Sequence, residues 1–176
     1  YDYFTAVDDL LPEDISGAAH VDTVEYNSAT LYRYATVAAH ELLKHLGSET
    51  AEAVRGFVHA FVCSMPTGKQ NTFANRTVPA TVLIALRSDQ PVNLVGAFER
   101  PVKAGFNDDD GYIEASAKAF VEHTETVYNN WLGKPELALV TGELFAPLAE
   151  PQPLTDLLKV LEQELSKCLE HGGVGQ

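Results

Sequence analysis

Cysteine is scarce in this chain, cations are few, and long apolar runs are missing. Its two cysteines, Cys63 and Cys168, stand far apart with neither a metal-ligand spacing nor a disulfide framework. Both are expected as buried, reduced thiols on apolar helix stripes. No apolar run approaches the roughly eighteen residues of a membrane span, and no secretory pattern is present. A soluble cytoplasmic protein without a membrane partner is expected.

The usual motifs of catalysis are also missing. Gly68-Lys69-Gln70 resembles a phosphate-binding loop, but Cys63 stands where that motif needs glycine and Gln70 where it needs Ser or Thr. His40 and His45 are five apart and so fall on different helix faces; His20, His59, His123 and His171 are isolated. Ser64 and Ser166 lack the glycines of a nucleophile elbow. Asn107 to Gly111 reads NDDDG, like part of a calcium loop. With Gly111 as the loop glycine, however, the first and last ligands would be Phe106 and Ala117, and neither can coordinate. Capping of the following helix is the commoner use of such aspartates. Asn75-Arg76-Thr77 matches a glycosylation sequon by chance. No enzyme activity, metal or cofactor is expected.

The net charge of −13 comes from 25 acidic against 12 basic residues, which as a bulk figure argues against nucleic acid. The distribution differs. Residues 1–30 carry no basic group and 7 acidic ones, whereas residues 66–103 carry 5 basic and 2 acidic groups. Only that middle segment is locally positive.

The elements follow from periodicity. Asp2–Val7 and His20–Tyr26 read as strands flanking a loop that holds Pro12 and Gly17, and Ala29–Thr36 reads as a further strand. This opening pair buries little, because acidic residues surround Phe4 and Val21, so its apolar tips need an outside surface. Val37–Leu46 is a short helix closed by Gly47, and Ser48 or Thr50 can cap the next helix, whose inner face is Ala51, Val54, Val58, Phe61 and Met65. Ala80–Leu86 is an unalternating, β-branched run that suits a strand covered on both faces, with Val92–Phe98 returning beside it. Tyr112–Leu132 is a helix with Ile113, Ala117, Phe120, Thr124, Val127 and Trp131 inward. Leu137–Val140 is a last strand. Thr155 caps a final helix with Leu158, Leu161, Leu165 and Leu169 inward. Helices on one side of an antiparallel sheet make an α+β sandwich, with a ferredoxin-like or RNA-recognition-motif-like core. Tyr26, Tyr32 and Tyr34 could stack on bases, although half-buried strand positions are the commoner use of such a pattern.

The runs YFTAVDDL, GAAHVDTVEYNSATLYRYA, PTGKQNTFA and NLVGAFERPVKA resemble the backbone subunit of the type I-E CRISPR surveillance complex Cascade, the CasC family, in register from Tyr1 to about Leu132. The resemblance implies a right-hand-like protein with an RNA-recognition-motif-like palm, helical fingers and a protruding β-hairpin thumb. Residues 1–26 would be the thumb and residues 27–176 the C-terminal part of the palm with its packed helices. The N-terminal half would be absent, consistent with a chain that opens at Tyr1 in mid-strand. The implied partners are CRISPR RNA, target DNA through the guide, neighbouring copies of the same protein and other Cascade subunits. Copies would polymerise along the RNA, each thumb displacing one nucleotide at intervals so that the spacer can pair with target DNA. The subunit would be non-catalytic.

By the same resemblance Tyr3, Phe4 and Thr5 lie on the outgoing thumb arm with Val21 on the return arm, and Phe4 and Val21 wedge at the RNA kink. Lys103 matches a lysine that contacts the RNA backbone, and Lys69 sits in a matching GKQ block. Where the family often shows a second lysine, this chain has Gly105 and then the aspartate run. Two other readings stand beside this one. The first is a small acidic ferredoxin-like metal- or ligand-binding enzyme domain, carried by Asp108–Asp110 and the histidines; the second is a protein-interaction domain without RNA contact.

Overall fold

Two short apolar runs, VLIAL and LALVT, pair antiparallel and sort the surrounding side chains onto two faces. The computed structural model describes residues 2–6, 20–24, 29–65, 76–104 and 111–172. Contacts divide the chain into two units, Tyr1–Leu31 and Tyr32–Gln176.

The first unit holds strands β1 (Asp2–Ala6) and β2 (His20–Val24). They pair antiparallel, with Tyr3 opposite Thr23, Phe4 opposite Asp22 and Thr5 opposite Val21.

In the second unit α1 (Ala39–Leu46) is followed by a 3₁₀ turn and α2 (Thr50–Cys63). Then come β3 (Val82–Leu86), α3 (Tyr112–Val127), β4 (Leu137–Thr141) and α4 (Leu154–Gly172). Strands β3 and β4 pair with Leu83 opposite Val140 and Ile84 opposite Leu139. Successive strand residues face opposite ways, so these two rungs serve different cores. Leu83 and Val140 pack with Ala117, Phe120 and Val121 of α3, together with Leu94 and Phe145. Ile84 and Leu139 pack with Leu157, Leu158 and Leu161 of α4 and Val58 of α2. A third cluster joins Ala51 and Val54 of α2 to Leu165 of α4, beneath Leu42 of α1.

Helices therefore lie on both faces of this pair, not on one side as the α+β sandwich expectation had it. The periodicity of VLIAL could not assign helices to faces; the alternate contacts of Leu83 and Ile84 do. Val92–Phe98 is not a strand, and β3 pairs with β4 instead. There the Asn93 Oδ1 accepts the Val95 N–H at 3.0 Å, turning the chain into a 3₁₀ segment, Val95–Phe98, that includes Gly96. Nor is Ala29–Thr36 a strand: among the described residues no neighbouring strand completes a ladder with it. Tyr32, in that segment, is half-buried and packs against the core, its ring centroid 5.4 Å from that of Phe98 and 5.9 Å from that of Phe120. Its hydroxyl donates to Asn93 Oδ1 at 3.3 Å, and burial raises its pKa.

The helix ends show further departures. The 3₁₀ turn Gly47–Glu49 runs straight into α2, so Thr50 is already helical and caps nothing; its buried hydroxyl donates to the Gly47 carbonyl at 2.8 Å. Helix α4 starts at Leu154, one residue before the expected cap Thr155, and the Pro153 carbonyl accepts the Asp156 and Leu157 N–H groups, both at 3.0 Å. In α3 the residues Ala117, Phe120 and Thr124 are buried as expected, but Ile113 and Trp131 are 48% and 80% exposed. Ile113 lies in the first turn, ahead of the buried stretch. Trp131 follows a change of pitch: Tyr128–Leu132 is π-helical, and the wider turn buries Tyr128 and rotates Trp131 outward. Cys63 and Cys168 are exposed, correcting the buried thiols expected above; each sits just off its helix's packed stripe.

Arg87 ties the end of β3 to the end of that helix. Its guanidinium donates to the Leu132 carbonyl at 2.8 Å and the Gly133 carbonyl at 3.1 Å, and forks onto both Asp89 oxygens at 2.7 Å. A cation there also suits the negative end of the helix dipole. The hydrogen bond from Arg87 holds the Asp89 carboxyl well below the usual carboxylate range. A depressed carboxylate contributes stability above its unfolded pKa and loses it as pH falls through the folded one. Asp89→Asn is therefore expected to lower the thermal midpoint modestly at neutral pH and to reduce its fall on acidification below the ordinary carboxylate range, so that variant and wild type converge in acid. An unaltered acid profile would refute this.

Candidate nucleic-acid interface

The residues that could meet an RNA chain fall in two places, one in each unit. On the β1–β2 ribbon, Phe4 and Val21 occupy neighbouring rungs, since Phe4 faces Asp22 and Val21 faces Thr5.

In the second unit an open groove of about 500 Å³ runs between α3 and the segment from Gly96 to Lys103. Its α3 wall is a stripe at helical spacing, Ala115, Ala119, Glu122 and Thr126, with His123 beside it. Glu99, Arg100 and Lys103 approach from the opposite side, where Gly96 and Ala97 are the small residues. Gly96 has a packing reason to be glycine: a Cβ there would stand 3.0 Å from both Cε1 and Nε2 of His123. The Thr126 hydroxyl donates to the Glu122 carbonyl at 2.8 Å, so its oxygen lone pairs alone face outward chemistry. Cations on flexible stems along an open channel can meet phosphates, and small residues on the floor admit an extended chain.

Lys103, expected from the sequence, lies in this groove; Lys69 lies outside the described residues, as do Asp108–Asp110. Arg100 has no expected role in the sequence, and His123 reads there only as an isolated histidine. The spacing of Arg100 and Lys103 in ERPVK was a readable signal; the approach of His123 from α3 was not. Among the described residues no three His, Cys, Asp or Glu side chains gather as a metal site. No helix is long and apolar enough to cross a membrane, again among the described residues.

A family model described as CT1975-like protein matches residues 1–160. Among solved structures, a chain of a "CRISPR RNA-guided surveillance complex, pre-nicking" matches with a TM-score of 0.73 and 30% identity, over 93% of this chain and 50% of that one. A chain of another "CRISPR RNA-guided surveillance complex" matches with a TM-score of 0.70 and 27% identity, over 95% of this chain and 64% of that one. This chain thus spans half to under two thirds of those relatives' length. No curated protein matches it. The mixture of helices with small antiparallel sheets is the fold those chains share, and the match agrees with the CasC-like resemblance in the sequence. The chain belongs to the family of CT1975-like proteins.

Proposed function

We infer that the chain is part of a non-catalytic, RNA-binding backbone subunit of a type I-E CRISPR surveillance complex, working in the cytoplasm. The observation that carries this reading is the 30% identity to a chain of such an RNA-guided complex across 93% of this one. In this reading residues 1–26 are a thumb, and residues 27–176 are the C-terminal part of an RNA-recognition-motif-like palm. Copies polymerise along the guide RNA beside other subunits of the complex. Each thumb reaches over RNA held by its neighbour and displaces one nucleotide, leaving the intervening spacer free to pair with target DNA. Tyr3, Phe4, Thr5 and Val21 act at the kink, where an apolar side chain replaces a lost stacking partner. Lys103 and Lys69 contact the backbone, where a cation releases counterions and binds whatever the base sequence.

The test uses the full-length protein. Wild-type protein should purify with RNA of defined length. Stacking on an aromatic ring contributes about 1–3 kcal/mol per base, so Phe4→Ala should weaken RNA-ordered assembly about tenfold with the thermal midpoint unchanged. Phe4→Ala combined with Val21→Ala should weaken assembly further, with the thermal midpoint again unchanged. Normal filament formation by the double variant would remove the wedge role. Protein that purifies without RNA and binds none would remove the function itself.

A further inference from the structure

The groove between α3 and the Gly96–Lys103 segment carries both signs of charge, yet its charged side chains do not neutralise one another. Arg100, Lys103, Glu99 and Glu122 line it together, and among the described residues none of them takes part in an ion pair. Elsewhere in the described residues charges do pair, as Arg55 does with Glu162 at 2.9 Å and Lys159 with Asp156 at 2.9 Å. The groove's side chains are therefore free to act on a ligand.

A carboxylate is a poor companion for a phosphate. Glu122 would weaken a groove built for phosphate alone, because like charges repel across an open channel. It has a use if the ligand also presents a hydrogen-bond donor. In mid-chain the sugar-phosphate backbone of RNA presents one such donor, the ribose 2′-hydroxyl, which DNA lacks. Glu122 sits on the rigid wall of α3, with Ala115 and Ala119 on the same stripe leaving room for a sugar to approach the helix.

We propose that this groove is a ribose–phosphate seat selective for RNA: Arg100 and Lys103 take the phosphate with a ring N–H of His123, and Glu122 accepts the hydrogen bond of the 2′-hydroxyl. The proposal rests on the RNA-binding reading above and deepens it. Arg100, His123 and Glu122 become contact residues, and discrimination between RNA and DNA acquires a physical source in this chain.

The full-length protein is to be tested for binding to single-stranded oligo(A) and oligo(dA) of equal length across a salt series. Wild-type protein should prefer oligo(A). Arg100→Ala should weaken both and lower the log–log salt slope by about 0.7, the value of one phosphate contact on a single strand. His123→Ala should weaken both about tenfold, as for one hydrogen bond to a charged acceptor. Glu122→Ala should lower the oligo(A) to oligo(dA) preference about tenfold, with oligo(dA) binding unchanged or tighter, and Glu122→Gln should recover part of it. If wild-type protein binds RNA but Glu122→Ala keeps the preference, or Arg100→Ala keeps the slope, this groove is not the seat while the wider function stands. Equal loss on both oligomers with a lowered unfolding midpoint would make Glu122 structural and overturn the proposal. Failure of wild-type protein to bind either oligomer would overturn both readings.

Discussion

Replacing Gly142 by alanine should lower the stability of the larger unit by about 2–4 kcal/mol, among the largest effects expected from adding a single methyl group. Gly142 ends β4 with φ +93 and ψ 133, a region that residues with a Cβ rarely occupy. The space is also taken. A Cβ would collide with the Ala80 carbonyl oxygen and stand 3.0 Å from Thr81 Cα and 3.1 Å from Thr81 Cβ. Those atoms are fixed by the Thr81 hydroxyl, which donates to the Thr141 carbonyl at 3.0 Å and clasps the open end of β3 to β4. Relief of the clash would have to come from backbone, so the cost has no flexible side chain to absorb it. Urea unfolding measures it directly. A midpoint equal to wild type would mean that the β3–β4 end is looser than this geometry states.

The second large effect lies on the other side of the same sheet. Leu161→Ala should cost about 2–5 kcal/mol, because Leu161 is 1% exposed and its neighbours Leu157, Leu158 and Leu139 are themselves buried. The cavity would open in the cluster that holds α4 against β3 and β4. Leu169→Ala, near the C-terminal end of α4 and only half-buried, should cost clearly less. The contrast is the informative result. Equal costs at the two sites would show that the helix end is as firmly packed as its centre. The groove along α3 belongs to the opposite face of the sheet, so on the RNA-binding role proposed above Leu161→Ala should reduce binding only in proportion to the fraction unfolded. A loss of affinity at temperatures where the variant stays folded would reveal coupling across the sheet.

Much of the fold could be read from periodicity. Ala117, Phe120 and Thr124 recur at helical spacing and are buried on α3; Leu158, Leu161 and Leu165 do the same on α4. Where the reading went astray, a local signal lost to a nonlocal one. Val92–Phe98 has the composition of a strand, but the Asn93 side chain turns it and β4 occupies the neighbouring place on β3. Trp131 continues an apolar stripe that holds only while the helix keeps a constant pitch, and the π-helical turn breaks that condition. Cys63 and Cys168 looked apolar by spacing, yet each lies at the margin of a stripe whose true width packing decides.

The candidate interface divides in the same way. Lys103 could be found because it is part of a recognisable block, and Arg100 because it stands three residues before it. Glu122 and His123 lie on a helix that reads from the sequence as a solvated face, with nothing near them in the chain to suggest a ligand. They come to line one groove only when the turn at Gly96 folds the Glu99–Lys103 segment against α3.

The sequence by itself determined the family, the helices with their inward leucines and phenylalanines, and the absence of familiar catalytic spacings, because each of these is written in order and interval. Only the tertiary structure decided which strand pairs with β3, that helices cover both faces of that pair, and that cations from one segment and a carboxylate from another share a groove. The physical reason is that such pairings depend on burial and hydrogen bonding between residues far apart in the chain, and interval along the chain carries no measure of that.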